Sequence, residues 1–177
     1  MREDHWTSSE QESLALAQAF AGRLQRGDVV ALLGELGTGK TLFVKGICQA
    51  FGAQEHVSSP SFIILNRYEG KDQSNRELLI YHLDLYRVKS LDEIYDLGYE
   101  EFFYGDGITL VEWAEQLGDL LVGEPARSAL DGKRLALINF YTSQEEISHV
   151  LYEKCGLPYG RHGLTLKVVQ GRVPVDV

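Results

Sequence analysis

The chain has 177 residues, 44% of them hydrophobic, with 26 acidic against 17 basic side chains and a formal net charge of −9. That length suits one domain spanning residues 1–177 with a proper core, and the composition is that of an ordinary soluble globular protein. The charge excludes strong unaided binding of nucleic acid, because phosphate contacts need clustered Lys and Arg and no basic run occurs.

No apolar run approaches membrane-spanning length, and the polar start Met1-Arg2-Glu3-Asp4-His5 does not fit a secretory signal. Cys48 and Cys155 lie far apart and in no metal-ligand spacing, so they read as buried, reduced thiols of a cytosolic protein.

In chain order, Ser9 with Glu12 is a capping-box pattern that opens a helix. Leu14, Ala17, Phe20, Ala21 and Leu24 form its apolar side, and Gly27-Asp28 closes it. Residues 28–33 then read as a short apolar strand running straight into Gly34-Glu35-Leu36-Gly37-Thr38-Gly39-Lys40-Thr41. This stretch fits the phosphate-cradling pattern of two glycines separated by four residues and followed by Lys and a hydroxyl residue. A helix is expected over 42–51, with Phe43, Ile47 and Phe51 on one face. Strand, Gly-rich loop and helix in that order are the context the motif needs. The glycines let successive N–H groups converge on phosphate oxygens, and the helix start adds its positive dipole end. Lys40 would reach the outer phosphates and Thr41 would hold a magnesium ion.

Gly52 stops that helix, and Val57-Ser58-Ser59-Pro60-Ser61-Phe62 follows. Its hydroxyls read either as a plain turn or as a loop that senses a terminal phosphate. A strand is expected over 62–68, a polar hairpin connection over 69–77 and a second strand over 78–86. In that second strand Leu79, Tyr81, Leu83 and Leu85 face one way, while Ile80, His82, Asp84 and Tyr86 face the other. His82 and Asp84, followed by Arg87, are either a functional cluster or a solvated sheet face.

Ser90 with Glu93 caps a further helix that Gly98 stops, and residues 99–104 are acidic and aromatic. Residues 108–111 form an apolar strand ending in Glu112-Trp113. An acid at the end of a buried strand is the expected second magnesium anchor of a phosphate-loop enzyme. Asp84 and Glu112 compete for that role, and Glu112 has the better context because 108–111 is apolar on both faces. In the last third, a short helix and a loop around Pro125 are expected over 118–130, and strands over 135–140 and 164–169. Ser143 and Glu146 open a helix that Gly156 and Pro158 end, and the tail is expected to fray.

Four segments together resemble the TsaE family, small bacterial ATPases of tRNA threonylcarbamoyladenosine biosynthesis. They are the phosphate loop, Ser59-Pro60-Ser61-Phe62, His82-Leu83-Asp84-Leu85-Tyr86-Arg87 and Val111-Glu112-Trp113. The resemblance covers about residues 9–118, and the portion from 119 to 177 is longer than the family usually has. It implies an α/β fold, a P-loop NTPase-like sheet with flanking helices. It also implies a magnesium-dependent ATPase of slow intrinsic turnover that is not itself the transferase. Its implied partners are TsaD and TsaB, with tRNA reached only indirectly.

Carried over residue by residue, the resemblance makes Lys40, Asp84 and Glu112 catalytic, and Thr41 and Glu112 the magnesium ligands. Glu35, Leu36, Gly37, Thr38, Gly39, Lys40, Thr41, Ser61 and Trp113 would contact ATP. Glu35 stands where Asp is usual, Ser61 where Thr is usual and Ala114 where Pro often follows, and none of these changes removes a needed chemical group. A small-molecule kinase would need charged acceptor anchors, and only Arg87 lies near the motifs. A GTPase would need a guanine-reading Asn-Lys-x-Asp, which does not occur. A binding module that uses ATP without hydrolysing it differs only in whether Asp84 supports turnover.

Overall fold

The computed structural model describes residues 2–53, 57–60, 64–117, 135–142 and 162–169. In chain order the elements are β1 (Arg2–Thr7), α1 (Glu10–Ala21), β2 (Val29–Leu33), α2 (Lys40–Ala50), β3 (Leu65–Lys71), β4 (Glu77–Asp84), α3 (Leu91–Asp96), α4 (Glu100–Tyr104), β5 (Ile108–Glu112), a 3-10 turn (Ala114–Leu117), β6 (Leu135–Thr142) and β7 (His162–Val169). The strands form one seven-stranded sheet in the order β1-β7-β6-β2-β5-β4-β3. β2 pairs in parallel with both β5 and β6, and β4 pairs in parallel with β5, while the outer strands are antiparallel. Among the described residues no helix is long and apolar enough to cross a membrane.

Period-2 alternation sorts the central strands between two cores, one on each face of the sheet. Val30, Leu32, Ile80, Ile108 and Leu110 pack with α1 and α2 through Ala17, Phe20, Phe43 and Ile47. Val29, Ala31, Tyr81, Leu83 and Val111 pack with Ile94, Phe102, Phe103 and Leu117 on the other face. β4 is therefore covered on both sides, and the solvated face envisaged for His82 and Asp84 does not exist: their exposures are 0% and 6%. The strand still alternates as expected, but both of its faces are interior.

The capping pattern of α1 forms with a shift. The Ser9 hydroxyl accepts the Glu12 N–H at 3.2 Å, but the Glu12 carboxylate reaches back to the Ser8 N–H at 2.7 Å. α1 ends at Ala21, short of the expected Gly27, and Leu24 enters the core from the turn that follows. α2 begins two residues earlier than expected, so Lys40 and Thr41 are its first residues. β3 and β4 take in residues 69–71 and 77 of the expected loop, because cross-strand pairs such as Glu69 with Leu79 extend the ladder. β1 and α4 are elements the sequence reading lacks. The expected helices over 118–130 and from Ser143 lie outside the described residues, as do Ser61, Phe62 and Cys155. Cys48 is buried, and burial pushes its thiol up to about 12, so it is an inert core residue.

An ion-pair network ties the tip of the β3–β4 hairpin to the lead into β5. Arg26 Nε donates to Asp72 Oδ2 and its Nη1 to Asp106 Oδ2, each at 2.8 Å. The Arg26 guanidinium, helped by the Arg76 N–H, holds the Asp72 carboxyl well below the usual carboxylate range. A carboxyl with its folded pKa depressed adds stability above its unfolded pKa and loses it as pH falls through the folded one. Asp72→Asn is therefore expected to lower the melting temperature at neutral pH, with the gap to the parent closing as the solution is acidified. Thermal melts from neutral to about pH 2 check this, and a gap that does not change with pH would contradict it.

Candidate functional site

The site lies at the carboxyl ends of the parallel strands β2, β4 and β5, where open α/β sheets place their ligands. β2 delivers the chain into the glycine loop, and the loop delivers it into α2 through Gly39, the N-cap residue, at φ 97. Gly34 and Gly37 also have positive φ, 128 and 81, which side-chain-bearing residues rarely adopt. The backbone N–H groups at the start of α2 have no intrahelical acceptors, and the helix dipole makes that end electropositive. A cavity of about 450 Å³ opens here, lined by residues 36–42 together with Ser59, Asp84, Tyr86, Arg87, Glu112 and Trp113.

Lys40 is only 4% exposed. Its Nζ donates to the carbonyls of Gly34 at 2.6 Å and Glu35 at 2.8 Å, and it lies 3.9 Å from the centre of the Trp113 ring. Burial pushes the ammonium pKa down, while Glu112, Glu115, Asp84 and Glu35 pull it back. Thr38 Oγ1 donates to the same Glu35 carbonyl at 2.8 Å, closing the loop on itself. Glu35 contributes this carbonyl, whereas its side chain is exposed and does not line the cavity. Leu36 stands 73% exposed at the rim.

Two strands bring the acids together. Asp84 and Glu112 are register partners at the ends of β4 and β5, and both point to the α2 side with Ile80 and Leu110. Thr41 Oγ1 donates to Glu112 Oε2 at 2.9 Å. The other oxygen, Oε1, lies 2.8 Å from His82 Nε2. Asp84 is held differently: its Oδ2 accepts the Ser59 hydroxyl, and its Oδ1 accepts the Tyr86 N–H at 3.0 Å. The two acids thus have different partners: Glu112 contacts the loop hydroxyl, whereas Asp84 contacts Ser59 of the segment after α2 and the Tyr86 N–H. Hydroxyl and carboxylate oxygens are the donors magnesium prefers, and that ion usually needs only one or two carboxylates plus phosphate oxygens. Thr41 and Glu112 fit that description. No group of three or more His, Cys, Asp or Glu suited to a metal occurs among the described residues.

Trp113 follows the acid in a left-handed conformation, φ 58, which costs a side-chain-bearing residue about 1–3 kcal/mol. That turn ends β5 and carries the ring over Lys40, where it also packs on Tyr86 with centroids 4.8 Å apart. Tyr86 was not among the sequence-derived site residues, although it stands within the His82–Arg87 segment. His82 stands in the same segment, and its contact with Glu112 follows from the pairing of β4 with β5. Ser61 lies outside the described residues, so of the serine-proline segment only Ser59 is seen at the cavity.

Comparison with known proteins supplies an independent reading. A family model described as threonylcarbamoyl adenosine biosynthesis protein TsaE matches residues 7–136. A tRNA threonylcarbamoyladenosine biosynthesis protein TsaE of Treponema pallidum is 40% identical over 115 residues, covering 63% of this chain and 81% of that protein. Its counterpart in Rickettsia conorii is 38% identical over 148 residues, covering 81% of each. A crystal structure of Bacillus subtilis YdiB superposes with a TM-score of 0.62 at 26% identity, covering 96% of this chain and 87% of that one.

Proposed function

The chain belongs to the TsaE family of tRNA threonylcarbamoyladenosine biosynthesis, and from that membership we propose that it is the magnesium-dependent ATPase subunit of that process, acting with a TsaD–TsaB transferase. The observation that carries the ATPase reading is the 2.9 Å contact between Thr41 of the glycine loop and Glu112 at the end of a buried strand. A loop hydroxyl and a strand acid meeting beside a buried lysine are what a nucleoside triphosphate and its metal require.

In this reading the phosphates lie against the N–H groups of the loop and of the first turn of α2. Lys40 exchanges the carbonyls of Gly34 and Glu35 for phosphate oxygens, with no need to move its backbone. Magnesium, held by Thr41 and Glu112, would supply neutralisation of phosphate charge. Asp84, already fixed by Ser59 and the Tyr86 N–H, orients the attacking water toward the γ-phosphorus. The bond to the bridging oxygen then breaks, and Lys40 and the loop N–H groups stabilise the developing charge. Arg87 is the cavity-lining guanidinium nearest to hand among the described residues. Turnover by the protein alone should be slow, and a partner should hold the tRNA, a division of labour that the net charge of −9 supports.

The test is phosphate release from ATP with magnesium, with and without the purified transferase. Asp84→Ala is expected to lower the maximal rate by about 10²-fold or more with little change in the magnesium requirement. Glu112→Ala is expected to raise the magnesium concentration needed far more than Asp84→Ala does. The reverse order in magnesium titrations would assign the anchor to β4. Absence of turnover in every condition would leave ATP a bound ligand without hydrolysis.

A further inference from the structure

Among the described residues His82 is the most deeply buried ionisable side chain on the sheet, at 0% exposure, and it does not line the cavity. Its Nε2 lies 2.8 Å from Glu112 Oε1, and its Nδ1 has no hydrogen-bond partner among the described residues. The register explains the meeting. His82 stands opposite Leu110 on the neighbouring parallel strand, so Glu112 is its diagonal neighbour on the same face, within reach of a long side chain. Among the described residues no hydrogen bond to Nδ1 orients this ring, and Tyr68 packs on it with centroids 6.2 Å apart.

The two oxygens of Glu112 therefore have separate partners. Oε2 takes the Thr41 hydroxyl and Oε1 faces His82 Nε2. A carboxylate can only accept, so Nε2 carries the proton and donates. With Oε1 held from behind, the carboxylate cannot rotate about its last torsion without losing that bond, and Oε2 stays aimed at the loop. We propose that His82 is a positioning residue that fixes the Glu112 carboxylate for metal binding beside Thr41. The inference rests on the reading of Thr41 and Glu112 as the metal ligands. It extends that reading to a residue that touches neither nucleotide nor metal. Partners of this kind, bonded to a ligand and not to the ion, typically change metal affinity by about 10–100-fold when removed.

The experiment measures Mn²⁺ binding by electron paramagnetic resonance in the presence of a non-hydrolysable ATP analogue, alongside thermal melts and ATPase rates. Parent protein should bind Mn²⁺, and Glu112→Ala should bind it much more weakly; if the parent does not bind the ion, both the metal reading and this inference fall. His82→Leu keeps an apolar body in the core but removes the donor, and it is expected to weaken Mn²⁺ by about 10–100-fold. Binding of the analogue without metal should not change. His82→Gln can place its amide N–H near the position of Nε2 and should restore most of the affinity. If Glu112→Ala loses the ion while folded His82→Leu holds it as well as the parent does, the inference alone is overturned. It is also overturned if His82→Gln folds but binds no better than His82→Leu. Should neither variant fold, ¹⁵N-histidine spectra of the parent decide. The expected signature is a proton on Nε2 with a resonance that moves when magnesium and analogue are added together. A proton on Nδ1, or no movement, overturns it.

Discussion

Lys40→Ala is expected to lower ATP hydrolysis by about 10²–10³-fold, the usual loss when one preorganised donor to a developing negative charge is removed. The melting temperature should change little. Lys40 belongs to neither apolar core cluster, and among the described residues its ammonium donates hydrogen bonds to the two loop carbonyls that it would leave for phosphate. Burial already disfavours the charged form, so deleting the charge relieves a desolvation penalty that offsets the two lost hydrogen bonds. Lys40→Met, which retains a long apolar stem under the Trp113 ring, separates the two roles. If Lys40→Ala melts much earlier and Lys40→Met does not, the stem stabilises the loop; both should still lose turnover. Wild-type turnover by either variant in magnesium would remove the phosphate-loop reading altogether.

Why this much was legible beforehand has a physical basis. β2, the glycine loop and α2 are specified locally, by an apolar run, three glycines and a following period-3.6 pattern, and all three formed within two residues of expectation. β5 was equally plain, because Ile108, Leu110 and Val111 are apolar on both faces of a strand buried throughout. β1 was not. Arg2, Glu3, Asp4 and His5 carry no apolar run, and their strand exists because β7, far along the chain, pairs with it. α4 has five residues, too few to display a helical period, and it is held by Phe102 and Phe103 in the second core.

The site shows the same division. Each of Lys40, Thr41, Asp84 and Glu112 could be chosen from its local sequence. The meeting of Thr41 with Glu112 follows from the shared magnesium the sequence implies, but that Glu112 also meets His82 could not be read there, because it depends on the register between β4 and β5. A strand buried on both faces also removes the usual polar-out signal. His82 and Asp84 on an alternating segment therefore resembled a wet face when they were pointing at α2.

Gly34 marks the point where the phosphate loop leaves β2, and its replacement is expected to have the largest effect on stability. Its φ is 128, and a Cβ there would lie 2.4 Å from the Phe140 carbonyl oxygen, 3.1 Å from the Phe140 Cβ and 3.2 Å from the Phe140 carbonyl carbon. Phe140 belongs to β6, whose preceding residue Asn139 is paired with Leu33, so the obstruction is sheet backbone and cannot swing aside as a flexible side chain would. Backbone strain costs about 1–3 kcal/mol and overpacking about the same again. A combined loss of about 4 kcal/mol corresponds to a fall of roughly 8–16 °C in melting temperature for Gly34→Ala in a chain of this size. Gly52 is the matched control. Its φ is 72, also left-handed, but a Cβ there would meet nothing within 4 Å. Gly52→Ala carries only the strain, about 1 kcal/mol, and should melt roughly 2–4 °C early. Equal falls for the two variants would mean that the close approach of β6 is not what demands glycine at 34. The comparison also bears on the chemistry, since the Gly34 carbonyl is one of the two that hold Lys40. Any Gly34→Ala protein that still folds must displace that carbonyl or β6, and it should bind an ATP analogue more weakly than Gly52→Ala does.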